Sequence, residues 1–177
     1  MWNHLPLADH PAFPRRQLLA GAAALCALTS CSSLRQTALA DTPTVPSPPP
    51  GVTHTDAEWR QLLTASQYRI LRQAGTEAPY SNPLNDEHRV GVFSCAGCAL
   101  NLFSSSTKFD SGTGWPSFWQ PLSGAVLERP DNTLGMTRTE ALCSRCAGHL
   151  GHVFDDGPKP TGLRYCMNGA ALTFRAT

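Results

Sequence analysis

Two C-x-x-C motifs constrain the fold of this chain more than any other feature, and a long insert separates them. Each motif forms a turn that presents two thiolates, and two such turns complete the tetrahedron that zinc prefers. Four sulfur ligands leave no coordination position for water, which indicates a structural metal and not a catalytic one. Two disulfides, or one C-x-x-C redox pair, are the alternatives. The spacing therefore predicts one structural zinc ion, held by Cys95, Cys98, Cys143 and Cys146.

The N-terminal segment has the features of an export signal. Arg15 and Arg16 precede an apolar run over residues 18–28, which is shorter than the helix of about 20 residues that crosses a bilayer. The paired arginines resemble a twin-arginine signal, and residues 28–31 resemble a lipobox in which Cys31 is acylated. A general secretory signal cleaved elsewhere, or a leader without lipid on Cys31, is the alternative. Residues 1–31 therefore predict export to the periplasm or cell envelope, with a membrane anchor through lipid on Cys31.

A proline-rich stretch separates this signal from the rest of the chain. Residues 41–51 contain five prolines and almost no apolar side chains, which is typical of an extended spacer that builds no core. We therefore expect a disordered linker over residues 32–54 and one domain over residues 55–177.

The pattern of the remaining sequence predicts a mainly β domain of the α+β class. Thr55 and Thr64 each begin a capping box, so two or three short helices are expected at the start of the domain. From Val90 onward the chain has short apolar runs broken by Gly, Pro and Asn, which favours antiparallel strands. Such short runs build a small core, and a small core commonly needs a metal or covalent staple.

The charge balance excludes one class of partner. Fourteen Lys and Arg residues against thirteen Asp and Glu residues give a net charge of +1, so the chain has no broad field for attracting nucleic acid. We expect no nucleic-acid partner. Nothing in the sequence indicates an assembly larger than a monomer.

Cys166 is the cysteine left for chemistry once the others are assigned. Four of the seven cysteines are the predicted zinc ligands, Cys26 lies in the signal's apolar run and Cys31 is the predicted lipid site. Arg164 lies two residues before Cys166, on the same face of a strand, and a nearby cation favours the nucleophilic thiolate. An inert, buried cysteine is the alternative.

Two further motifs supply groups that suit a reactive thiol. His149 and His152 follow the second C-x-x-C pair directly and are candidate general acids near neutral pH. One of them as a structural hydrogen-bonding group, or both as metal ligands, is the alternative. The turn at residues 112–119 displays Trp115, and an aromatic wall suits a methyl–sulfur group. We expect Phe118 and Trp119 to pack in the core.

These motifs, with both C-x-x-C pairs, stand in the order and spacing of methionine-R-sulfoxide reductases of the B type. The chain resembles this family over roughly residues 56–174, and the motifs are residues 111–118, 148–154, 156–158 and 164–168. The resemblance implies a small, tent-like antiparallel β domain with one zinc ion. It also implies an oxidoreductase that repairs oxidised proteins by reducing the R epimer of methionine sulfoxide, in proteins or as the free amino acid.

The resemblance also implies a role for each matching residue. Cys166 attacks the sulfoxide sulfur and becomes a sulfenic acid, while His149 and His152 orient and protonate the oxygen. Trp115 packs on the methyl group and selects the epimer. The implied substrate-binding residues are Trp115, Arg164 and Asn168.

Thr113 departs from the family pattern, because many members have a resolving cysteine at this position of the turn. The departure implies that a thioredoxin-like dithiol reduces the Cys166 sulfenic acid directly, unless an unlipidated Cys31 reaches back along the linker. A zinc-ribbon binding module and a purely structural envelope lipoprotein are the competing functions. Neither explains Cys166 beside a histidine pair.

Overall fold

The computed structural model describes residues 51–177, so the predicted signal peptide and most of the predicted linker lie outside the described residues. Two short helices precede nine strands, which confirms the predicted mainly β fold. The helices are α1 (Asp56–Leu62) and α2 (Ala65–Gln73). The strands are β1 (Gly91–Cys95), β2 (Asn101–Ser104), β3 (Lys108–Phe109), β4 (Ser117–Phe118), β5 (Val126–Asp131), β6 (Arg138–Cys143), β7 (His149–Phe154), β8 (Arg164–Met167) and β9 (Leu172–Ala176).

Both predicted capping boxes begin a helix. The Thr55 hydroxyl accepts a hydrogen bond from the Glu58 amide, and the Glu58 carboxylate accepts one from the Thr55 amide at 2.7 Å. Thr64 and Gln67 make the same reciprocal pair at the start of α2. These bonds satisfy amide groups that the first helical turn leaves without partners. The start of both helices is therefore encoded within four residues of sequence.

The strands form two antiparallel sheets. The smaller sheet has the order β2-β1-β9, and the larger has the order β3-β4-β8-β7-β6-β5. Strand β8 lies inside the larger sheet, between β4 and β7, so its backbone is hydrogen-bonded on both sides. A residue on β8 is consequently held by two neighbouring strands.

An aromatic cluster joins the two sheets. Phe93 of β1 packs against Phe118 of β4 with ring centroids 5.0 Å apart, and Phe103 of β2 stacks on Phe118 at 4.3 Å. All three rings are fully buried, which confirms the prediction for Phe118, whereas Trp119 is half-buried. Within residues 51–177 no helix has the length and apolar character needed to cross a membrane.

Candidate active site

The four predicted metal ligands lie together. The Sγ atoms of Cys95, Cys98, Cys143 and Cys146 are all within 4.8 Å of one another. Cys95 and Cys146 have Sγ atoms 3.7 Å apart, and the Sγ atoms of Cys98 and Cys143 are 3.5 Å apart. Tetrahedral zinc with Zn–S bonds of about 2.3 Å needs sulfur–sulfur distances of about 3.8 Å. The four thiols therefore fit one structural zinc ion, as the sequence predicts.

The two C-x-x-C turns share one backbone geometry. Ala99 and Ala147 follow the second cysteine of each turn, and both have a left-handed backbone, with φ of 57° and 53°. Their amides donate to the carbonyls of Cys95 and Cys143 at 2.8 and 2.9 Å. The second turn leads directly into His149 and β7. A metal in this site therefore fixes the start of the strand that carries both histidines.

Cys166 lies on β8 at the bottom of a small cavity. Its Cα atom is paired with Ser117 of β4 on one side and with His152 of β7 on the other. The cavity measures about 170 Å³. Its walls bring together four of the six predicted catalytic and substrate-binding residues: Cys166, His152, Trp115 and Asn168.

Burial and charge act in opposite directions on the Cys166 thiol. Burial raises the pKa of Cys166 above its ordinary value, while the Arg164 guanidinium and the hydroxyls of Thr113 and Ser117 lower it. Arg164 is held by two hydrogen bonds of 2.8 Å to the Asp156 carboxylate and stacks over the Phe154 ring. The predicted effect of Arg164 is therefore present, but burial outweighs it.

Each histidine is held by a carboxylate. The Nδ1 atom of His149 lies 2.7 Å from Glu140 Oε1, and the Nε2 atom of His152 lies 2.8 Å from Asp131 Oδ2. The two imidazole centroids are 5.3 Å apart. A carboxylate at one ring nitrogen fixes the proton there, which leaves the other nitrogen for a substrate. The free nitrogens are Nε2 of His149 and Nδ1 of His152.

The two histidines are not equivalent. His152 lines the Cys166 cavity, whereas His149 lines a neighbouring cavity of about 450 Å³ that shares His152 and Arg138 with it. Burial lowers the pKa of His149, against the opposing effect of Glu140. Its Nε2 atom is buried and has no hydrogen-bond partner among the described residues. His149 is thus a neutral, buried imidazole that lies beside His152 and does not line the Cys166 cavity.

Glu77 organises the wall opposite the histidines. Its amide donates to Asn168 Oδ1 at 3.0 Å, and its carbonyl accepts from the Trp115 indole at 3.2 Å. Its buried carboxylate accepts from the amides of Gly169 and Ala170. One residue therefore fixes both Trp115 and Asn168. The sequence analysis missed Glu77, and its place in a loop between α2 and β1 gives no signal of this role.

Thr113 occupies the tip of a turn that faces the thiol. Gly112 and Gly114 flank it with φ of 68° and 88°, a backbone that glycine adopts readily. The Thr113 Oγ1 atom lies 3.9 Å from Cys166 Sγ. The described part of the chain has five free cysteines, and the other four form the metal cluster. Within residues 51–177, Cys166 has no second thiol as a partner.

Comparison with known proteins identifies relatives along most of the domain. The SelR domain matches residues 63–176. A protein of Thiobacillus denitrificans named "Peptide methionine sulfoxide reductase MsrB" is 62% identical over 121 residues, which cover 68% of this chain and 92% of that protein. Proteins of the same name from Leptospira interrogans and Agrobacterium fabrum are each 54% identical, over 125 and 126 residues. These alignments cover 70% and 71% of this chain and 95% and 93% of the relatives.

Proposed function

Because this chain belongs to the SelR-domain family that includes the peptide methionine sulfoxide reductases MsrB, we propose that it reduces methionine-R-sulfoxide in proteins and as the free amino acid. The observation that carries the proposal is the pairing of Cys166 with His152 in one small cavity walled by Trp115. A nucleophile, a proton donor and an apolar wall are the groups that sulfoxide reduction needs. The biological role is the repair of oxidised proteins.

In the proposed reaction Cys166 attacks the sulfoxide sulfur. The oxygen accepts a proton, and the resulting hydroxyl passes from the methionine sulfur to Cys166 Sγ as the new S–S bond breaks. Methionine leaves as the thioether, and Cys166 is left as a sulfenic acid. A positioned acid typically accelerates such a step by about 10² to 10⁴. His152 borders the cavity and donates to that oxygen from Nδ1 in its doubly protonated form, with the proton on Nε2 held by Asp131. The His149 ring lies edge-on to His152, with ring centroids 5.3 Å apart. Arg164 stabilises the thiolate before attack.

Trp115 determines which epimer fits. The methyl group of the substrate packs on the indole, since sulfur and its substituents interact favourably with aromatic rings. The indole nitrogen is held by Glu77, so the ring has a fixed orientation. Asn168 is fixed by the Glu77 amide and by the Leu150 carbonyl. With the methyl group and the oxygen each assigned to one wall, only one configuration at sulfur presents its oxygen to His152.

Regeneration requires a reductant from outside the chain. A thioredoxin-like dithiol attacks the Cys166 sulfenic acid, releases water and forms a mixed disulfide, which its second thiol resolves. The support for this route is that Thr113 presents a hydroxyl, and not a thiol, to Cys166. A second route through Cys31 remains open only if that residue carries no lipid.

The decisive experiment is turnover of the separate R and S sulfoxides of a blocked methionine with a dithiol reductant. We expect turnover of the R epimer, none of the S epimer, and complete loss with Cys166→Ser. Cys31→Ser is the control, because it removes the cysteine of the second regeneration route and leaves the domain sequence unchanged. Equal activity of the wild type and Cys166→Ser would show that the thiol is not the nucleophile.

We also propose that the chain acts outside the cytoplasm, as an exported monomer held at the cell envelope by lipid on Cys31. The support is the twin-arginine pair, the apolar run and the lipobox within residues 1–31. Labelling cells with a palmitate analogue should mark the wild type and not Cys31→Ser. Protection of the domain from protease added to spheroplasts would contradict export, and light scattering of the purified protein tests the monomer.

A further inference from the structure

Three hydroxyl groups form a continuous chain that ends on the reactive thiol. Thr113 Oγ1 lies 3.9 Å from Cys166 Sγ and 2.8 Å from Ser111 Oγ. Ser111 Oγ lies 2.7 Å from Ser117 Oγ, which donates to the Trp115 carbonyl at 3.1 Å. Ser117 is fully buried and sits opposite Cys166 on the neighbouring strand. Ser117 therefore anchors the hydrogen-bond chain inside the larger sheet, and Thr113 is the end that reaches Cys166.

The carbonyl at the far end sets the direction of this chain. A hydroxyl has one proton to donate, and a carbonyl oxygen only accepts. When Ser117 donates to the Trp115 carbonyl, Ser111 must donate to Ser117 and Thr113 must donate to Ser111. Thr113 then has no proton left for Cys166 and offers it only a lone pair. In this direction the chain accepts a hydrogen bond from a protonated group on Cys166.

The opposite direction is available by rotation of the three hydroxyls. Ser117 then donates to Ser111, Ser111 to Thr113, and Thr113 to Cys166. This direction leaves the Trp115 carbonyl without the Ser117 proton. It gains a hydrogen bond to the Cys166 thiolate, and a bond to an ionised acceptor is roughly twice as strong as a neutral one. The charge on Cys166 therefore decides which direction is favoured.

We propose that Thr113, Ser111 and Ser117 form a reversible hydrogen-bond chain that donates to the Cys166 thiolate before attack and accepts from the Cys166 sulfenic acid afterwards. The inference rests on the proposed function, since it needs both states of Cys166. Thr113 is thus a positioning residue for regeneration. It occupies the position of the turn at which many members of the family have a resolving cysteine. The three hydroxyl residues act on the substrate only indirectly, through their hydrogen bond to Cys166.

The accepting direction matters because the neutral sulfenic acid is the form that a thiol reduces. A thiolate of the external dithiol bonds to Cys166 Sγ, the S–O bond breaks, and the oxygen leaves as water with its own proton and the one that the thiol gave up. The second thiol of the dithiol then releases Cys166 as a thiol. The dithiol supplies two electrons and ends as a disulfide. A sulfenic acid held by Thr113 keeps its proton and stays ready for this attack.

Substitutions in the hydrogen-bond chain change none of the charged groups near Cys166. Arg164 lies on the same strand, His152 faces Cys166 from β7, and Arg138 lines the cavity from β6. Asp110 accepts from the Gly112 amide at the base of the turn. Replacing Thr113 by another neutral residue alters none of these charges. A change in the behaviour of Cys166 then reports the hydroxyl itself.

The test compares Thr113→Val, which has a similar shape and no hydroxyl, with Thr113→Ser, which keeps the hydroxyl. The matched control is Thr173→Val, an exposed threonine on β9 of the other sheet. Two rates are measured on the mature protein: alkylation of Cys166 by iodoacetamide as a function of pH, and reduction of the preformed sulfenic acid by dithiothreitol.

We expect Thr113→Val to raise the apparent pKa of alkylation by about one pH unit and to slow sulfenic acid reduction about tenfold, the effect of one hydrogen bond to an ionised group. Thr113→Ser should restore both, and Thr173→Val should change neither. An unchanged alkylation pKa in Thr113→Val overturns the donating direction, and an unchanged reduction rate overturns the accepting one. Equal defects in Thr113→Val and Thr113→Ser overturn the chain in favour of a packing role. Absence of any sulfenic acid after addition of the R sulfoxide to wild type is a separate result, because it overturns the proposed function itself.

Discussion

The backbone amide of Glu77 donates to the side chain of Asn168 at 3.0 Å, which ties a loop residue to a lining residue of the Cys166 cavity 91 positions later in the chain. The same residue accepts the Trp115 indole proton through its carbonyl. Its carboxylate closes the arrangement by accepting from the amides of Gly169 and Ala170. The geometry of two residues that we propose to bind substrate, Trp115 and Asn168, therefore depends on one buried acidic residue.

Replacing this carboxylate should affect stability and binding together. Glu77→Ala removes two charge-assisted bonds to buried amides, so we expect the free energy of unfolding to fall by about 3 kcal/mol. KM for the sulfoxide should rise, because the loop whose backbone amide and carbonyl hold Asn168 and Trp115 loses the carboxylate that anchors it. Urea denaturation and steady-state kinetics measure both effects. Glu77→Gln should lose less. Glu87→Gln, at a half-buried carboxylate paired with Arg89 and outside the lining of the Cys166 cavity, should leave KM unchanged; a normal KM in Glu77→Ala would contradict the positioning role.

Asp131 should matter for the rate more than for binding. It holds His152 Nε2 at 2.8 Å and is itself held by Arg138 and Thr133, and the hydrogen bonds from Thr133 keep the pKa of its carboxyl well below the ordinary value. Asp131→Asn preserves the shape but no longer fixes the proton on His152, so we expect kcat to fall about tenfold or more. KM should change little. The exposed Asp155→Asn is the matched control, and a kcat equal to wild type in Asp131→Asn would remove Asp131 from the mechanism.

A cysteine at position 113 should create an internal resolving thiol. Thr113 Oγ1 already lies 3.9 Å from Cys166 Sγ, and modest rotation of both side chains brings two sulfurs to the disulfide distance of about 2.05 Å. After one equivalent of substrate, mass analysis of Thr113→Cys should find a disulfide. Wild type should instead carry one added oxygen on Cys166. A persistent sulfenic acid in Thr113→Cys would show that the turn holds the two positions too far apart.

Zinc should be required for folding and not for the chemical step. The four thiols fit a closed tetrahedral site, and zinc bound by such sites contributes about 10 to 16 kcal/mol in small domains. Cys95→Ser should therefore lose both metal and fold, as judged by metal analysis and circular dichroism. Cys166→Ser should retain one zinc ion per chain. A folded, metal-free Cys95→Ser protein would contradict a structural role for the metal.

The features that were predictable from sequence are those encoded within a few residues. Each capping box spans four positions, and each C-x-x-C turn presents its two thiols through its own backbone. The motifs around Cys166 are equally local, and their order is what matches the family. Local patterns therefore gave the helices, the zinc ligands and the candidate nucleophile.

The features that were not predictable depend on how the strands pair and pack. The partner of His149 is Glu140 on β6, and a register shift between Ala141 and Leu142 determines which residues of β6 and β7 face each other. Strand β5 continues to Asp131, but its second half is largely polar and exposed, so no apolar pattern predicts its full length. The net effect on the Cys166 pKa depends on burial, which only the assembled sheet determines.

The buried His149 should make the fold sensitive to mild acid. Burial lowers its pKa in the folded protein, whereas in the unfolded chain the imidazole titrates near 6.5. The unfolded state therefore binds more protons as the pH falls below that value, and the free energy of unfolding decreases until the pH reaches the lower, folded-state pKa. Above about pH 6.5 this contribution is fully present, because the imidazole is neutral in both states.

His149→Gln tests this dependence directly. The amide keeps a polar group near Glu140 and does not titrate, so the variant should show a flatter decline of stability below about pH 6.5 than wild type. Urea denaturation at a series of pH values measures the difference, and His54→Gln, at the exposed start of the domain, is the control for general loss of a histidine. Parallel stability curves for wild type and His149→Gln across this range would show that folding leaves the pKa of His149 unchanged. A wild-type protein that instead gains stability relative to His149→Gln as the pH falls would show that the imidazole is protonated beside Glu140 in the folded state, and His149 itself would then be a candidate for the acid that acts on the sulfoxide oxygen.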